Sequence, residues 1–226
     1  MATILNIETA TTVCSVALSK DGQLLALKEI NGDYSHAENL TLFIEDVLRQ
    51  AQLFLKDIDA VAVSKGPGSY TGLRIGVSTA KGLCYALDKP LISINTLEHL
   101  CASVLPNPQS LFCPMLDARR MEVYCAVYDS DGNEIRSTAA EIIDANSFSD
   151  LLKENQIIFF GDGAAKCKEV ILQNKNVVFV DDVFLSAKNM IRLSEKAFSE
   201  KRFEDVAYFE PFYLKDFVGG KKKTKV

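Results

Sequence analysis

The chain has 226 residues, of which 48% are hydrophobic and 24% charged, and its formal net charge is −5. This length allows one large domain or two domains of about 100 residues each. The negative charge argues against strong nucleic-acid binding by the chain alone, because such binding depends on neutralising phosphates. The first residues carry no basic segment, and Glu8 interrupts their apolar run, so no secretory signal peptide is expected.

Three further features of the composition bear on location and partners. The longest uncharged run, residues 100–116, contains three prolines, so we expect no membrane span. The six cysteines form no Cys-x-x-Cys pair, which is typical of reduced core residues and of a cytoplasmic protein. The one basic cluster is the tail, residues 219–226, for which we predict disorder, with a weak contact to RNA or a partner as the alternative.

The first thirty residues alternate apolar and polar positions around the turn at Asp21-Gly22, which predicts three antiparallel strands. Residues 113–136 repeat this pattern around a second Asp-Gly turn. In this repeat Glu8 and Asp117 hold equivalent positions, each at the end of a first strand. Internal repetition constrains a fold strongly.

A glycine loop follows a predicted strand in each copy, at residues 64–72 and at residues 161–163. The first loop lacks the lysine of a P-loop and the glycine spacing of a dinucleotide-binding turn. It is therefore predicted to turn the chain tightly from a strand into a helix, and the second loop is expected to lead into a helix as well. We predict two α/β halves, residues 1–105 and residues 106–218, that face each other across a cleft.

This duplicated arrangement resembles the actin/Hsp70/sugar-kinase superfamily, whose α/β halves have ribonuclease-H-like cores. In that superfamily the first hairpin of each half cradles phosphates, and nearby carboxylates hold a metal through water. The resemblance implies a nucleotide site made by Glu8, Thr9, Asp117, Gly161 and Gly163. The alternative is that the two carboxylates only end their strands and cap the turns that follow.

The first predicted helix is amphipathic, with one broad apolar face. That face carries Leu40, Phe43, Ile44 and Val47. A metal site at His36 would need a second ligand four residues later, on the same face, and that position is Leu40. No metal site is predicted.

The second predicted helix carries Gly72, Gly76 and Ala80 at four-residue spacing, with Leu73 and Val77 beside them. Small residues on one stripe leave a groove that another helix can approach closely. The sequence leaves open whether that helix belongs to the same chain or to a partner. We take the apolar faces of both helices as a candidate partner interface: Leu40, Phe43, Ile44, Val47, Gly72, Leu73, Gly76, Val77 and Ala80.

Residues 66–83, GPGSYTGLRIGVSTAKGL, resemble the signature of the bacterial TsaB (YeaZ) family. Five further blocks are similar to blocks of that family in the same order: ILNIETATTVCSVAL, SHAENL, LDARRMEVY, FGDGA and PFYLK. The resemblance covers roughly residues 4–215. One departure is the run from Glu8 to Ala10, where Asp-Thr-Ser is usual, and the longer carboxylate argues against a metal there.

The resemblance implies a non-catalytic scaffold and activator subunit, with an interface on its first two long helices. Such a subunit pairs with a TsaD-like catalytic paralogue and recruits a TsaE-like ATPase. The assembly uses ATP and a metal, and transfers a threonylcarbamoyl group from its adenylate to adenosine 37 of tRNA. We expect no cofactor to bind strongly to this chain alone, and we expect a homodimer when it is isolated.

Two rival functions follow from the same fold and relatives. An active ATPase or small-molecule kinase would need a catalytic base and a complete phosphate clamp, and the sequence shows neither. A peptidase would need a recognisable site, and the chain has no His-Glu-x-x-His motif.

Overall fold

The structure is a computed structural model that describes residues 2–32, 36–104, 109–171 and 175–215. The strands of the first half are β1 (Thr3–Glu8), β2 (Val13–Lys20), β3 (Gln23–Asn31), β4 (Ala60–Gly66) and β5 (Leu91–Asn95). Those of the second half are β6 (Ser110–Asp117), β7 (Glu122–Tyr128), β8 (Glu134–Ile142), β9 (Gln156–Phe160) and β10 (Val177–Val180). The α-helices are α1 (His36–Gln50), α2 (Tyr70–Leu87), α3 (Thr96–Cys101) and α4 (Ile191–Ser199).

The strands form two five-stranded mixed sheets of the same topology, with the orders β3-β2-β1-β4-β5 and β10-β9-β6-β7-β8. In each sheet the first strand of a three-stranded antiparallel meander lies at the centre and pairs in parallel with the fourth strand. This shared order confirms the predicted fold class, an α/β protein with duplicated halves.

Apolar stripes on α1 and α2 cover one face of the first sheet. Leu40, Val47 and Val77 belong to one buried cluster with Leu5 and Val63 of the sheet. The opposite face of this sheet is covered from the far end of the chain, where Met190 and Ala197 join Ile4, Ala62 and Ile92 in a second cluster. Both faces of the central strand β1 are therefore shielded from water, which explains why β1 is buried at every position.

The second half differs from the predicted repeat because its helices are short. Within the described residues, the links around β9 hold only the 3₁₀ helices Leu151–Lys153 and Ala165–Cys167. The prediction of a full helix after the second glycine loop is therefore wrong. The apolar residues there, Cys167, Val170 and Ile171, extend over little more than one helical turn, which is too short a stripe for a longer helix to bury.

The end of the chain returns to the first half, which corrects the assignment of residues 106–218 to the second. Helix α4 packs against β1 and β5. Beyond it, the backbone N–H of Glu204 donates to the Leu91 carbonyl at 2.8 Å and so pairs with the edge strand β5. The predicted basic tail, residues 219–226, lies outside the described residues.

All six cysteines are free and buried, as predicted from their scatter. Burial raises the pKa of the Cys14 and Cys84 thiols to about 11, which keeps them protonated at neutral pH. In the described part of the chain, no helix combines the length and apolarity that crossing a membrane requires.

The last described segment forms hydrogen bonds with the glycine loop that precedes α2 and with α2 itself. The Phe212 N–H donates to the Lys65 carbonyl at 2.7 Å, and the Lys81 ammonium donates to the Phe209 carbonyl at 2.7 Å. Gly66 allows this approach, because its φ is 113° and an added Cβ would lie 2.6 Å from the Phe212 carbonyl oxygen. Two sequence blocks that lie far apart in the chain are thus in direct contact.

We expect Gly66→Ala to destabilise the chain by about 2 kcal/mol or more, because alanine is strained at this φ and its methyl group meets the carbonyl. The matched control is Gly82→Ala in the middle of α2, where an added Cβ has nothing within 4 Å. There, alanine should stabilise by up to about 1 kcal/mol. Urea unfolding of both variants checks this, and equal stabilities would contradict it.

Candidate functional site

Side chains of both halves fill the space beside the tip of the first hairpin. Ala10 and Leu100 of the first half pack in one buried cluster with Phe112, Leu116 and Phe160 of the second. The pocket beside this cluster, which Thr11, Leu116 and Asp162 line, measures about 30 Å³. Ligand pockets usually measure about 300–1,000 Å³, so this cavity does not fit a nucleotide.

Glu8 ends β1 and is completely buried, with a side-chain exposure of 0%. Its Oε1 accepts a hydrogen bond of 2.5 Å from the Ala10 N–H, which caps the turn after β1. Its Oε2 lies 3.0 Å from Nδ1 of His99, an equally buried side chain on α3. Both carboxylate oxygens therefore face groups of the same chain.

The positions of their facing atoms require a proton between His99 and Glu8. The Nε2 atom of His99 lies 2.8 Å from the Ser186 carbonyl oxygen, which can only accept, so Nε2 carries a hydrogen. A bare Nδ1 facing a bare carboxylate oxygen would bring two lone pairs together, so a second proton lies between them.

Thr9 follows Glu8 and is seated on α2. Its hydroxyl donates to the Gly72 carbonyl at 2.8 Å. An added Cβ on Gly72 would meet the Thr9 carbonyl oxygen, and one on Gly76 would meet the Thr9 hydroxyl. The groove of small residues thus receives the first hairpin of the same chain, which corrects the expectation that a helix fills it.

The second hairpin repeats the capping geometry. Asp117 Oδ1 accepts from the Arg119 N–H at 2.8 Å, at the position equivalent to the Glu8–Ala10 bond. Asp117 is half-exposed and pairs with the Lys166 ammonium at 2.5 Å. Its own N–H donates to Asp162 Oδ1 at 3.0 Å, and burial raises the pKa of the Asp162 carboxyl. At both strand ends the carboxylate caps the turn that follows it, as the alternative interpretation in the sequence analysis proposed.

The remaining residues of the predicted nucleotide site, Gly161 and Gly163, lie where two backbone segments are in close contact. Gly161 has a φ of 98°, and an added Cβ would meet the Met115 carbonyl. Gly163 packs against the backbone of Leu116. Among the described residues, no group of three or more acidic, histidine or cysteine side chains could hold a metal. The residues of this cleft do not fit a nucleotide with its metal.

The nine residues of the candidate partner interface all lie in the chain's own core. The structure therefore corrects the choice of side chains, while an interface on α1 and α2 stays a prediction. The outward faces of these helices expose Leu42, which is 55% accessible, and Tyr85, which is 86% accessible. Sequence reasoning missed them because the widest apolar stripe of a helix in a single domain is normally its core face.

We expect His99→Ala to destabilise the chain by about 3–5 kcal/mol, because it leaves the buried Glu8 carboxylate without its partner. Glu8→Gln should cost only about 1 kcal/mol, since its amide can accept from Ala10 and donate to His99. Urea unfolding at neutral pH measures both changes. A loss for His99→Ala no larger than that for Glu8→Gln would contradict the shared proton.

Comparisons with known proteins agree in family and fold. The family model of TsaD, tRNA N6-adenosine threonylcarbamoyltransferase, matches residues 32–218. The TsaB protein of Escherichia coli (strain K12) is 31% identical, with 97% of both chains covered, and that of Bacillus subtilis (strain 168) is 29% identical, with 94% of both covered. Both relatives carry the name tRNA threonylcarbamoyladenosine biosynthesis protein TsaB.

Among solved structures, YeaZ from Pseudomonas aeruginosa superposes with a TM-score of 0.80 at 25% identity, covering 95% of this chain and all of that one. The activator of a 2-hydroxyisocaproyl-CoA dehydratase from Clostridium difficile, with bound ADPNP, superposes with a TM-score of 0.51 at 10% identity and shows the fold alone. With this family match and relatives aligned over nearly its whole length, the chain belongs to the TsaB (YeaZ) family of tRNA threonylcarbamoyladenosine biosynthesis proteins.

Proposed function

We propose that the chain is a non-catalytic scaffold and activator subunit of the complex that transfers a threonylcarbamoyl group to adenosine 37 of tRNA. The observation that carries this proposal is the closed cleft. Glu8 is bound to groups of the same chain, and the pocket beside the tip of the first hairpin measures only about 30 Å³. A subunit without room for a nucleotide at this place contributes through its surfaces.

The partner we propose is a TsaD-like catalytic paralogue. The TsaD family model matches most of this chain, so the two proteins share a fold and can pair through equivalent helices. ATP and a metal are then used by the catalytic paralogue and a TsaE-like ATPase, and tRNA is bound by the whole complex. The isolated chain forms a homodimer through the same helices, and the complex works in the cytoplasm.

The outward faces of α1 and α2 suit this pairing. Leu42 and Tyr85 are large side chains that the chain's own core leaves uncovered. Ser78 and Gly82 lie on an exposed stripe of α2 at four-residue spacing, so another helix can approach closely there. A face with large apolar anchors beside small residues is what helix–helix association requires.

A peptidase function finds no support in the geometry. One solved relative is described as similar to peptidase YEAZ. In this chain the two histidines are buried, and their Nε2 atoms lie 2.8 Å from backbone carbonyl oxygens, His36 at Thr11 and His99 at Ser186. Neither of these nitrogens can take a proton from a nucleophile.

Leu42→Glu should weaken the association with a TsaD-like partner at least tenfold, because a charge replaces an apolar anchor at the centre of the contact. Its melting temperature should stay unchanged, since Leu42 is mostly exposed. Ile135→Glu is the matched control on β8 of the second half, where the isoleucine is 50% exposed. Calorimetric titration against the purified partner would contradict the interface if both variants bind like the parent.

Reconstitution tests the function itself. The chain alone should neither hydrolyse ATP nor modify tRNA, and tRNA modification by a TsaD-like and a TsaE-like protein should depend on adding it. Mass spectrometry of tRNA nucleosides gives the readout. Steady ATP hydrolysis by the pure chain that Asp117→Ala abolishes would favour the alternative, an ATPase or small-molecule kinase.

A further inference from the structure

The turn between β6 and β7 carries two arginines in an unusual backbone conformation. The φ angles of Arg119 and Arg120 are 72° and 52°. Two consecutive left-handed residues at a hairpin tip are normally asparagine or glycine, because a Cβ and a long side chain are strained there. Both arginines are exposed, and within the described residues neither side chain has an ion pair or hydrogen bond. The turn would be more stable without them.

The first hairpin shows that the fold does not require arginine here. Its equivalent positions, 109 residues earlier by the offset of Glu8 and Asp117, are Ala10 and Thr11. Ala10 is buried between the halves, and the Thr11 carbonyl lies 2.8 Å from His36 Nε2. Thr9 and Ala10 of the first tip are covered by the same chain, whereas Arg119 and Arg120 of the second tip face solvent.

The carboxylates near the second tip are already neutralised. Asp117 pairs with Lys166, and Glu122 pairs with Lys215 of the carboxy-terminal segment. The charges of Arg119 and Arg120 are therefore not compensated by the acidic residues that flank them in the hairpin. The exposed tip carries an excess of positive charge on a chain whose net charge is −5.

The Glu122–Lys215 pair also joins this tip to an aromatic surface. Tyr213, two residues before Lys215, packs on Tyr70 at the start of α2 with a ring-centroid distance of 4.8 Å. The guanidinium carbon of Arg74 lies 5.5 Å from the centre of the Tyr70 ring. Burial raises the pKa of the Tyr213 phenol, and Tyr70 and Glu210 raise it further, whereas Arg74 lowers it.

We propose that this basic-aromatic surface, formed by Tyr70, Arg74, Arg119, Arg120 and Tyr213, binds RNA. The two hairpin arginines contact phosphates, and the tyrosine pair offers a ring on which an unpaired base stacks. Aromatic rings interleaved with cations are the common platform for single-stranded nucleic acid. Its residues lie on the β6–β7 turn, at the start of α2 and in the carboxy-terminal segment. A surface made by three such segments suits a long polyanion, whereas a mononucleotide would need a pocket.

The inference rests on the proposed function, in which the RNA is the tRNA substrate of the complex. Because the chain as a whole is negative, this surface positions tRNA that the complete complex holds and gives only weak binding by itself. The surface also gives a reason for the strained turn, because it keeps positive charge where the backbone would favour asparagine or glycine.

The test is the double variant Arg119→Asn with Arg120→Gly, which removes two charges and supplies the residues that the turn prefers. Fluorescence anisotropy with a labelled full-length tRNA transcript at low salt should show affinity about tenfold weaker than for the parent chain. The slope of the logarithm of affinity against the logarithm of salt concentration should fall by about 1.5. The melting temperature should stay the same or rise, which loss of a merely structural contact would not produce.

The charge-matched control is Lys188→Gln with Arg192→Gln, which removes two exposed cations at the start of α4. This variant should bind the transcript within about twofold of the parent, because one phosphate contact changes affinity by more than that. Equal losses in both double variants would show that only net charge matters and would overturn the proposal. Parent-like binding by the hairpin variant would overturn it too, as would displacement of the transcript by equimolar ATP.

The same proteins separate this inference from the proposed function. If the hairpin variant still associates with the TsaD-like partner but binds tRNA like the parent, the RNA surface is wrong and the scaffold role stands. If the parent chain binds tRNA through the hairpin but never associates with the partner, the RNA surface stands and the scaffold role is wrong.

Discussion

The arrangement of both halves depends on the packing of Thr9 against α2. The turn after β1 passes between the sheets, where its polar backbone has no access to water, so every N–H and C=O there needs a partner. Gly72 and Gly76 give the turn room, Thr9 bonds to the Gly72 carbonyl, and Glu8 satisfies the Ala10 N–H. A bulkier residue at either glycine would push α2 off the hairpin and open the contact between the halves.

Hydrogen bonds attach the segment before α4 to the buried region around the first hairpin. Glu29 accepts from the hydroxyls of Ser15 at 3.0 Å and Ser186 at 2.5 Å, and Ser15 in turn accepts from the Ala187 N–H at 2.9 Å. The carbonyl of the same Ser186 accepts from His99, which holds Glu8. The buried acid of the first hairpin is thus linked through one serine to the segment that leads into α4. A closed cleft and a correctly placed last helix therefore depend on the same few hydrogen bonds.

Much of this fold could be predicted from the sequence, because repeated Asp-Gly turns and alternating strands are local patterns. The two sheets follow from them, and helices α1 and α2 follow from the helical spacing of their apolar and small residues. The second half's missing helices did not follow, since strand repetition sets no minimum length for the links between strands. The return of α4 to the first sheet could not be predicted either, because a short amphipathic helix does not indicate which of two sheets it covers.

At the site, the spacing of Gly72 and Gly76 predicted a close approach correctly but could not identify Thr9 as the group that approaches. The His99–Glu8 pair joins residues 91 positions apart, and no local pattern connects them.

The return of α4 has a consequence for how the protein is made. Ile4, Ala62 and Ile92 lie on a face of the first sheet that residues near Met190 and Ala197 cover. During synthesis on the ribosome, most of the first half emerges long before those residues exist, so its strands can pair while one face stays exposed to water. Contacts this distant in sequence form late, and an uncovered apolar sheet face is prone to aggregate in the meantime. Nascent chains that lack residues 187–199 should therefore be clients of chaperones that shield apolar surface, even though their first half already contains all of its strands.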